Sequence, residues 1–308
     1  MAQGRGPADH GPCHPRRPGG DRVTSRTAAG EALSQVPEPG SGAPVGPPIP
    51  IGLSTASVWP QTAPSAFELA ADTGYDGVEV MVWADPVSQD VTALRRLSTA
   101  YRLPVLSVHA PCLLITQRVW SADPTERLRR SVAAAEALGA PTVVVHPPFR
   151  WQRRYADSFA ELVAELEDGS GIRIAVENMF PVRLFGAKSN AVSGFAPSID
   201  PTDVGHRNYT LDLSHTSAAH VDALELAERM GEGLQHIHLA DGSGLPRDEH
   251  LVPGRGDQPC AALCESLHAN GFTGQVVVEI STRRAPGAGA RIRDLAEALL
   301  FARLHLGR

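Results

Sequence analysis

Residues 142–148 read Thr142-Val143-Val144-Val145-His146-Pro147-Pro148, a short β-branched run that ends on a ligand-type side chain. The same phrase recurs along the chain. Ser107-Val108-His109, Ala175-Val176-Glu177, Leu211-Asp212, His236-Ile237-His238 and Val277-Val278-Glu279 are further short runs that close on His, Asp or Glu. One such ending is noise, but six point to a shared architecture that carries strand ends to one place.

Working outward from Thr142–His146, β-branched runs alternate with longer stretches of helical period, which implies parallel strands joined by crossover helices. The other candidate strands are Ile51–Leu53, Gly77–Met81, Val105–His109, Ile172–Glu177, Tyr209–Asp212, Leu234–Leu239 and Gln275–Ile280. Amphipathic segments between them include Thr125–Leu138, Tyr155–Asp168, Val221–Met230 and Ala261–Asn270. Each is followed by a glycine placed to stop a helix, at Gly139, Gly169, Gly231 and Gly271. Eight such units in roughly 250 residues fit an α/β fold of the (β/α)8 TIM-barrel type. No G-x-G-x-x-G follows the first strand, and neither a P-loop nor a G-x-S-x-G elbow is present.

The 308 residues are 42% hydrophobic, 20% charged and only 5% aromatic, which describes a globular chain with an aliphatic core. A net charge of −6 argues against binding nucleic acid mainly through an overall positive field. Residues 1–50 are rich in Gly, Pro and Arg and lack the apolar core of a secretory signal. They read as a disordered leader ahead of a barrel domain at 51–308. Cys13, Cys112, Cys260 and Cys264 have neither zinc-ribbon nor redox spacing. Reduced thiols in a cytoplasmic protein, with no membrane span, are the expectation.

In a barrel the carboxyl ends of all strands converge on one face, so His109, His146, Glu177, Asp212, His238 and Glu279 are expected within reach of one another. Carboxylate oxygen mixed with imidazole nitrogen suits Mn, Zn, Mg or Co as the divalent metal. On these residues the chain resembles the xylose isomerase-like barrel superfamily, which includes sugar isomerases, sugar epimerases and endonuclease IV enzymes. The likeness runs from residue 51 to about 300. It implies one divalent metal held by Glu177, Asp212, His238 and Glu279. Members similar to endonuclease IV add five ligands to build a cluster of three zinc ions, and the matching residues are His109, His146, His215, Asp248 and His250. The run from Asp248 to Gly256 fits their D-x-H-x-x-x-G-x-G pattern, and Asp212 with His215 fits their D-x-x-H. Between the ligands the chain departs from those nucleases. Ser214 precedes His215 where they carry Cys, Ala240 follows Leu239 where they carry Asn, and Cys112 with Leu113 stands where they carry an aromatic wedge.

Arginines are frequent in the segments assigned to the loops after strands: Arg118, Arg150, Arg153, Arg154, Arg183, Arg207, Arg247 and Arg255. A guanidinium binds phosphate bidentately, so Arg150, Arg153 and Arg255 are candidate contacts to an anionic substrate. His236, two residues before His238, is expected one layer deeper in the barrel as a hydrogen-bonded core group. Glu79 either meets substrate or forms a salt bridge, and Lys188 lies in a long segment, 178–207, that could cover the site. The reading favoured by the sequence is a sugar or sugar-phosphate isomerase or epimerase. There the metal polarises a carbonyl, and Glu177 and Glu279 move protons on opposite faces. The alternatives are a multi-zinc phosphodiesterase acting on abasic DNA or a small phosphate ester, and a barrel that binds a metabolite without turnover.

Overall fold

The computed structural model describes residues 47–181 and 194–308. The expected leader lies, through residue 46, outside these residues, as do Arg183 and Lys188. Of its last four positions, Ile49 is buried in the aliphatic core and the Pro50 carbonyl accepts from the Val276 amide at 3.0 Å, so the packed barrel begins slightly ahead of Ile51.

Eight parallel strands close into a barrel in chain order. They are β1 (Ile51–Ser54), β2 (Gly77–Met81), β3 (Val105–His109), β4 (Thr142–Val145), β5 (Arg173–Glu177), β6 (Asn208–Asp212), β7 (Leu234–Leu239) and β8 (Gln275–Val278). The ring is completed by β8 pairing with β1, Gly52 opposite Val277. The helices among the described residues are α1 (Ala63–Thr73), α2 (Val91–Tyr101), α3 (Pro124–Leu138), α4 (Arg153–Ser170), α5 (Leu213–Ala219), α6 (Ala223–Met230), α7 (Cys260–Ala269) and α8 (Ala288–His305). Between β5 and β6 the described residues form one short 3-10 turn, Pro201–Asp203.

Strand side chains alternate between two faces. Val78, Val80, Val108, Val143, Val145, Val176, Leu211, Ile237 and Val276 belong to the aliphatic core shared with the helices. The residues between them face the barrel interior, which puts His109, Glu177, Asp212 and His238 at or near strand ends, looking into the mouth. Two strands stop one residue earlier than the pattern suggested or two: His146 lies just beyond β4, and Glu279 and Ile280 lie beyond β8.

Helix starts follow capping chemistry. Asp90 accepts from Thr92 and Ala93 at α2, and Asp222 accepts from Leu224 and Glu225 at α6. Gly139 caps α3 at φ +72°, as its position in the sequence suggested. The stop assigned to Gly169 is corrected: α4 runs on through Ser170, and Gly171, also at φ +72°, takes the left-handed position. With two glycines two residues apart, the one that ends the helix is the one where the chain must turn back toward β5.

Candidate metal centre

Several candidate ligands are held in place by local devices. Asp212 ends β6 and caps α5, its Oδ1 accepting from the His215 amide at 2.7 Å. The D-x-x-H spacing is therefore a cap and the third residue after it, which brings both side chains to the mouth. The β7–α7 loop is folded around Asp241, whose carboxylate accepts from the amides of Gly254 (2.8 Å), Gly256 (3.0 Å) and Gln258 (3.0 Å). A Cβ on Gly256 would stand 2.4 Å from the Asp241 Oδ1 and 2.4 Å from the Gly242 carbonyl oxygen, so only glycine fits there. This clamp is the physical content of the glycines in the Asp248–Gly256 motif. Ser214 then fixes the ligand end of the loop. Its hydroxyl donates to Asp248 at 2.6 Å and accepts from the amides of Glu249 at 3.1 Å and His250 at 2.9 Å. His250 sits at φ +46°, a costly backbone conformation for a residue with a Cβ.

All nine residues come together around Glu177. Its Oε2 lies 3.3 Å from the His109 Nε2 and 3.2 Å from the His146 Nε2, while its Oε1 lies 3.1 Å from the His215 Nδ1 and 3.3 Å from the His238 Nδ1. The same His238 nitrogen is 3.0 Å from the Glu279 Oε2 and 3.5 Å from the Asp212 Oδ2. On the far side, the Asp248 Oδ2 is 3.5 Å from the His215 Nε2 and 2.8 Å from the His250 Nε2. Two donors bound to one tetrahedral zinc at ~2.0–2.1 Å stand about 3.3–3.4 Å apart, so these hydrogen-bonded separations leave the groups close enough to share cations. Asp212 Oδ2 and His146 Nδ1 are buried with no hydrogen-bond partner. Orphaned buried donors and acceptors are costly; Asp212 Oδ2 faces the His238 imidazole at 3.5 Å, while His146 turns its Nε2 to Glu177 and its Nδ1 away from it. The donor set fits divalent cations.

Electrostatics point the same way. Burial alone would raise the Glu177 carboxyl, but His238 and His146, with hydrogen bonds from His109 and His146, hold it well below the usual carboxylate range. Burial lowers the His238 imidazole, but Glu279, Glu79 and Glu177 outweigh it and hold it well above its ordinary value. The cluster keeps its acids ionised by massing positive charge against them, which bound cations would also provide.

Glu79, ambiguous in the sequence, lies fully buried one layer below. Its Oε1 is 3.0 Å from the His238 Nε2, and its Oε2 is 3.0 Å from the His236 Nε2 and accepts from Ser107 at 2.8 Å. It thus orients His238 from behind, leaving Nδ1 to face Glu177 and Glu279. The signal was the inward register of Glu79 on β2, two residues before the strand end. His236 takes the hydrogen-bonded interior position expected of it, through Glu79.

The candidate arginines are dispersed. Arg150 and Arg153 are exposed at the start of α4, outside the cavity at the barrel mouth. Arg255 is tied to Asp294 at 2.8 Å and to Glu297 at 2.5 Å. Arg207 precedes β6 and pairs with Asp168 of α4, so it lies at the opposite end of the strand from the metal face, contrary to the sequence reading. The mouth itself is a cavity of about 220 Å³. Besides the ligands it is lined by Trp59, Trp83, Leu113 and Arg283, none but Leu113 singled out from sequence. Cys112 approaches the site from behind, its sulfur 3.9 Å from the His109 Nδ1. Cys112, Cys260 and Cys264 are free thiols.

The family model described as the xylose isomerase-like TIM barrel matches residues 67–303, and the chain belongs to this family. The uncharacterized protein Rv0498 of Mycobacterium tuberculosis is 59% identical over 278 residues, covering 85% of this chain and 99% of that protein. Among solved structures, a D-tagatose 3-epimerase-like protein superposes with a TM-score of 0.60 at 23% identity, covering 83% of this chain and 99% of the other. An AP endonuclease, family 2, from Brucella melitensis superposes with a TM-score of 0.57 at 20% identity, covering 76% of this chain and 94% of the other. At these identities the likeness to solved structures is one of fold. No helix among the described residues is long and apolar enough to cross a membrane.

Proposed function

We propose that this protein is a multinuclear divalent-metal enzyme that hydrolyses a phosphoester attached to a sugar. One observation carries the reading. The two oxygens of Glu177 face different imidazole pairs, His109 and His146 on one side and His215 and His238 on the other. A carboxylate so placed suits a ligand shared between two ions, and His109, His146, His215 and the Asp248–His250 pair supply more donors than one metal takes.

His109, His146 and Glu177 would hold one ion, Glu177, Asp212 and His238 with Glu279 a second, and His215, Asp248 and His250 a third, with Asp212 close enough to His215 and His250 to share. Five imidazoles favour zinc over magnesium, which prefers oxygen ligands. Bound ions would supply an activated water at neutral pH and offset the charge on the phosphoryl oxygens. The chain's own contribution is positional. Glu79 fixes His238, Asp212 fixes His215, and Ser214 fixes Asp248 and His250, while Glu177 and Glu279 stand at the cavity wall as ligands. Arg150 and Arg153 would enter only for a substrate long enough to reach α4, such as an abasic DNA strand.

A second reading, the sugar isomerase or epimerase, rests on Glu177 and Glu279 flanking the His238 Nδ1 at 3.3 and 3.0 Å, an arrangement suited to one metal and two proton-moving groups. Parallel assays separate the two. The zinc-loaded protein is expected to cleave bis(p-nitrophenyl) phosphate or nick abasic duplex. Interconversion of ketoses without ester cleavage would establish the second reading instead.

A further inference from the structure

One wall of the mouth takes no part in gathering metal ligands. Trp59 follows β1, Trp83 follows β2 and Arg283 follows β8, and all three border the cavity that Glu177, His215 and Asp248 also border. The two indoles meet edge to face, with centroids 6.4 Å apart and planes at 63°. The Arg283 guanidinium lies 4.3 Å from the centroid of the Trp59 ring. Stacking of this kind holds a guanidinium in one orientation without neutralising it.

The neighbouring arginines differ in this respect. Arg255 is consumed by Asp294 and Glu297, and Arg247 is paired with Glu249 at 3.1 Å. Arg283 is exposed and has no carboxylate partner among the described residues. It also lines a neighbouring groove of about 660 Å³, together with Arg284 and Arg293 and with Asp248, Glu249 and Asp294. Arg284 and Arg293 likewise have no carboxylate partner among the described residues. Arg283, stacked on an indole and free of a carboxylate partner among the described residues, borders a cavity that ligand-type groups also line. Such a group is suited to an anion, and a flat apolar indole beside it is suited to the face of a sugar ring.

We propose that Arg283 and the Trp59–Trp83 wall form an anion subsite apart from the metal ligands, so that the substrate is a sugar bearing a second phosphate besides the reacting one. The proposal rests on the phosphoester reading above. The ring would lie against the indoles, the reacting phosphoester over the cations that Glu177 and Glu279 would help hold, and the second phosphate on the solvent side beside Arg283. A cavity of about 220 Å³ is below the ~300–1,000 Å³ usual for drug-sized ligands and suits a single sugar ring. The same chemistry could come from a free sugar bisphosphate or from one unit of a sugar–phosphate strand.

The test is calorimetric binding of fructose 6-phosphate, fructose 1,6-bisphosphate and a short abasic oligonucleotide to the zinc-loaded full chain and to its Arg283→Ala, Arg150→Ala and Arg153→Ala variants. Zinc content and cleavage of bis(p-nitrophenyl) phosphate are measured on the same samples. The bisphosphate is expected to bind about 10- to 100-fold more tightly than the monophosphate. That gain should vanish in Arg283→Ala, with zinc content unchanged, and survive in the other two variants. If the oligonucleotide shows the same Arg283-dependent gain and the bisphosphate does not, the subsite stands and the strand is its source. Equal binding of the two sugars and no effect of Arg283→Ala on the oligonucleotide would overturn the proposal, as would a gain abolished by Arg150→Ala or Arg153→Ala instead. Loss of ester cleavage with the Arg283-dependent gain intact would count against the hydrolase reading alone.

Discussion

The two faces of the barrel strands are equally buried and chemically opposite. On β7, Ile237 and Leu239 point outward into the aliphatic core at 0% exposure, while His236 and His238 point inward, also at 0%. Outward positions need only apolar volume that fits, and Val, Leu and Ile supply it. Inward positions carry groups that are costly to bury unless each finds a partner. In the deeper inward layer both oxygens of Glu79 are engaged by His236, His238 and Ser107, while His236 Nδ1 has no hydrogen-bond partner. In the upper layer four imidazoles face the two oxygens of Glu177, and Asp212 Oδ2 has no hydrogen-bond partner. Apolar packing belongs to the outer face, and the gathered ligand-type groups to the upper inner one.

Substitutions can break this division. The largest effect is expected for Glu177→Ala, which removes the group that His109, His146, His215 and His238 all face. Metal ions supply several kcal/mol to such chemistry, so turnover should fall about 10³-fold or more, with metal content falling in the same preparation. Retention of full metal content would separate Glu177 from the centre. Ile237→Ala, one residue from His238 but on the outer face, should cost about 2–5 kcal/mol in urea unfolding, while the folded fraction keeps its full complement of metal. A loss of metal with unchanged stability would invert the comparison.

Glu79→Gln probes the boundary between the layers. Its expected signature is metal affinity weakened about 10- to 100-fold, read by competition with a chelator, with a smaller change in turnover at saturating metal. The smallest effect concerns His206, outside the barrel interior, whose ring packs against Phe159 at 5.6 Å. Burial lowers this imidazole to about 4, below the ~6.5 of an unfolded chain. As pH falls from about 6.5 toward 4, the unfolded state takes up a proton that the folded state refuses, so stability is lost across that window. His206→Gln should flatten this acid limb in urea midpoints measured at pH 7 and pH 4.5, and an unchanged limb would remove His206 as its source.

Much of this division is legible in the sequence, because strand alternation is a local property. The run Thr142–Val145 and its seven counterparts declare the strands, and the ligand-type residues at their ends declare the mouth. The D-x-x-H and Asp248–Gly256 patterns are legible for the same reason, each being a cap or a tight loop. What was not legible depends on who sits opposite. Glu79 looks like any strand glutamate until β7 is placed across the barrel from β2. Arg255 and Arg283 are indistinguishable as loop arginines until α8 brings Asp294 and Glu297 to one and the turn after β1 brings Trp59 to the other. Gly169 and Gly171 differ only in where α4 must stop to feed β5.

The most direct test of the account is metal analysis of the purified protein after equilibration with zinc, repeated on His109→Ala and His250→Ala. A multinuclear centre predicts roughly three ions per chain and a loss of about one in each variant, since the two histidines serve different ions. A single ion per chain, retained in both variants, would contradict it.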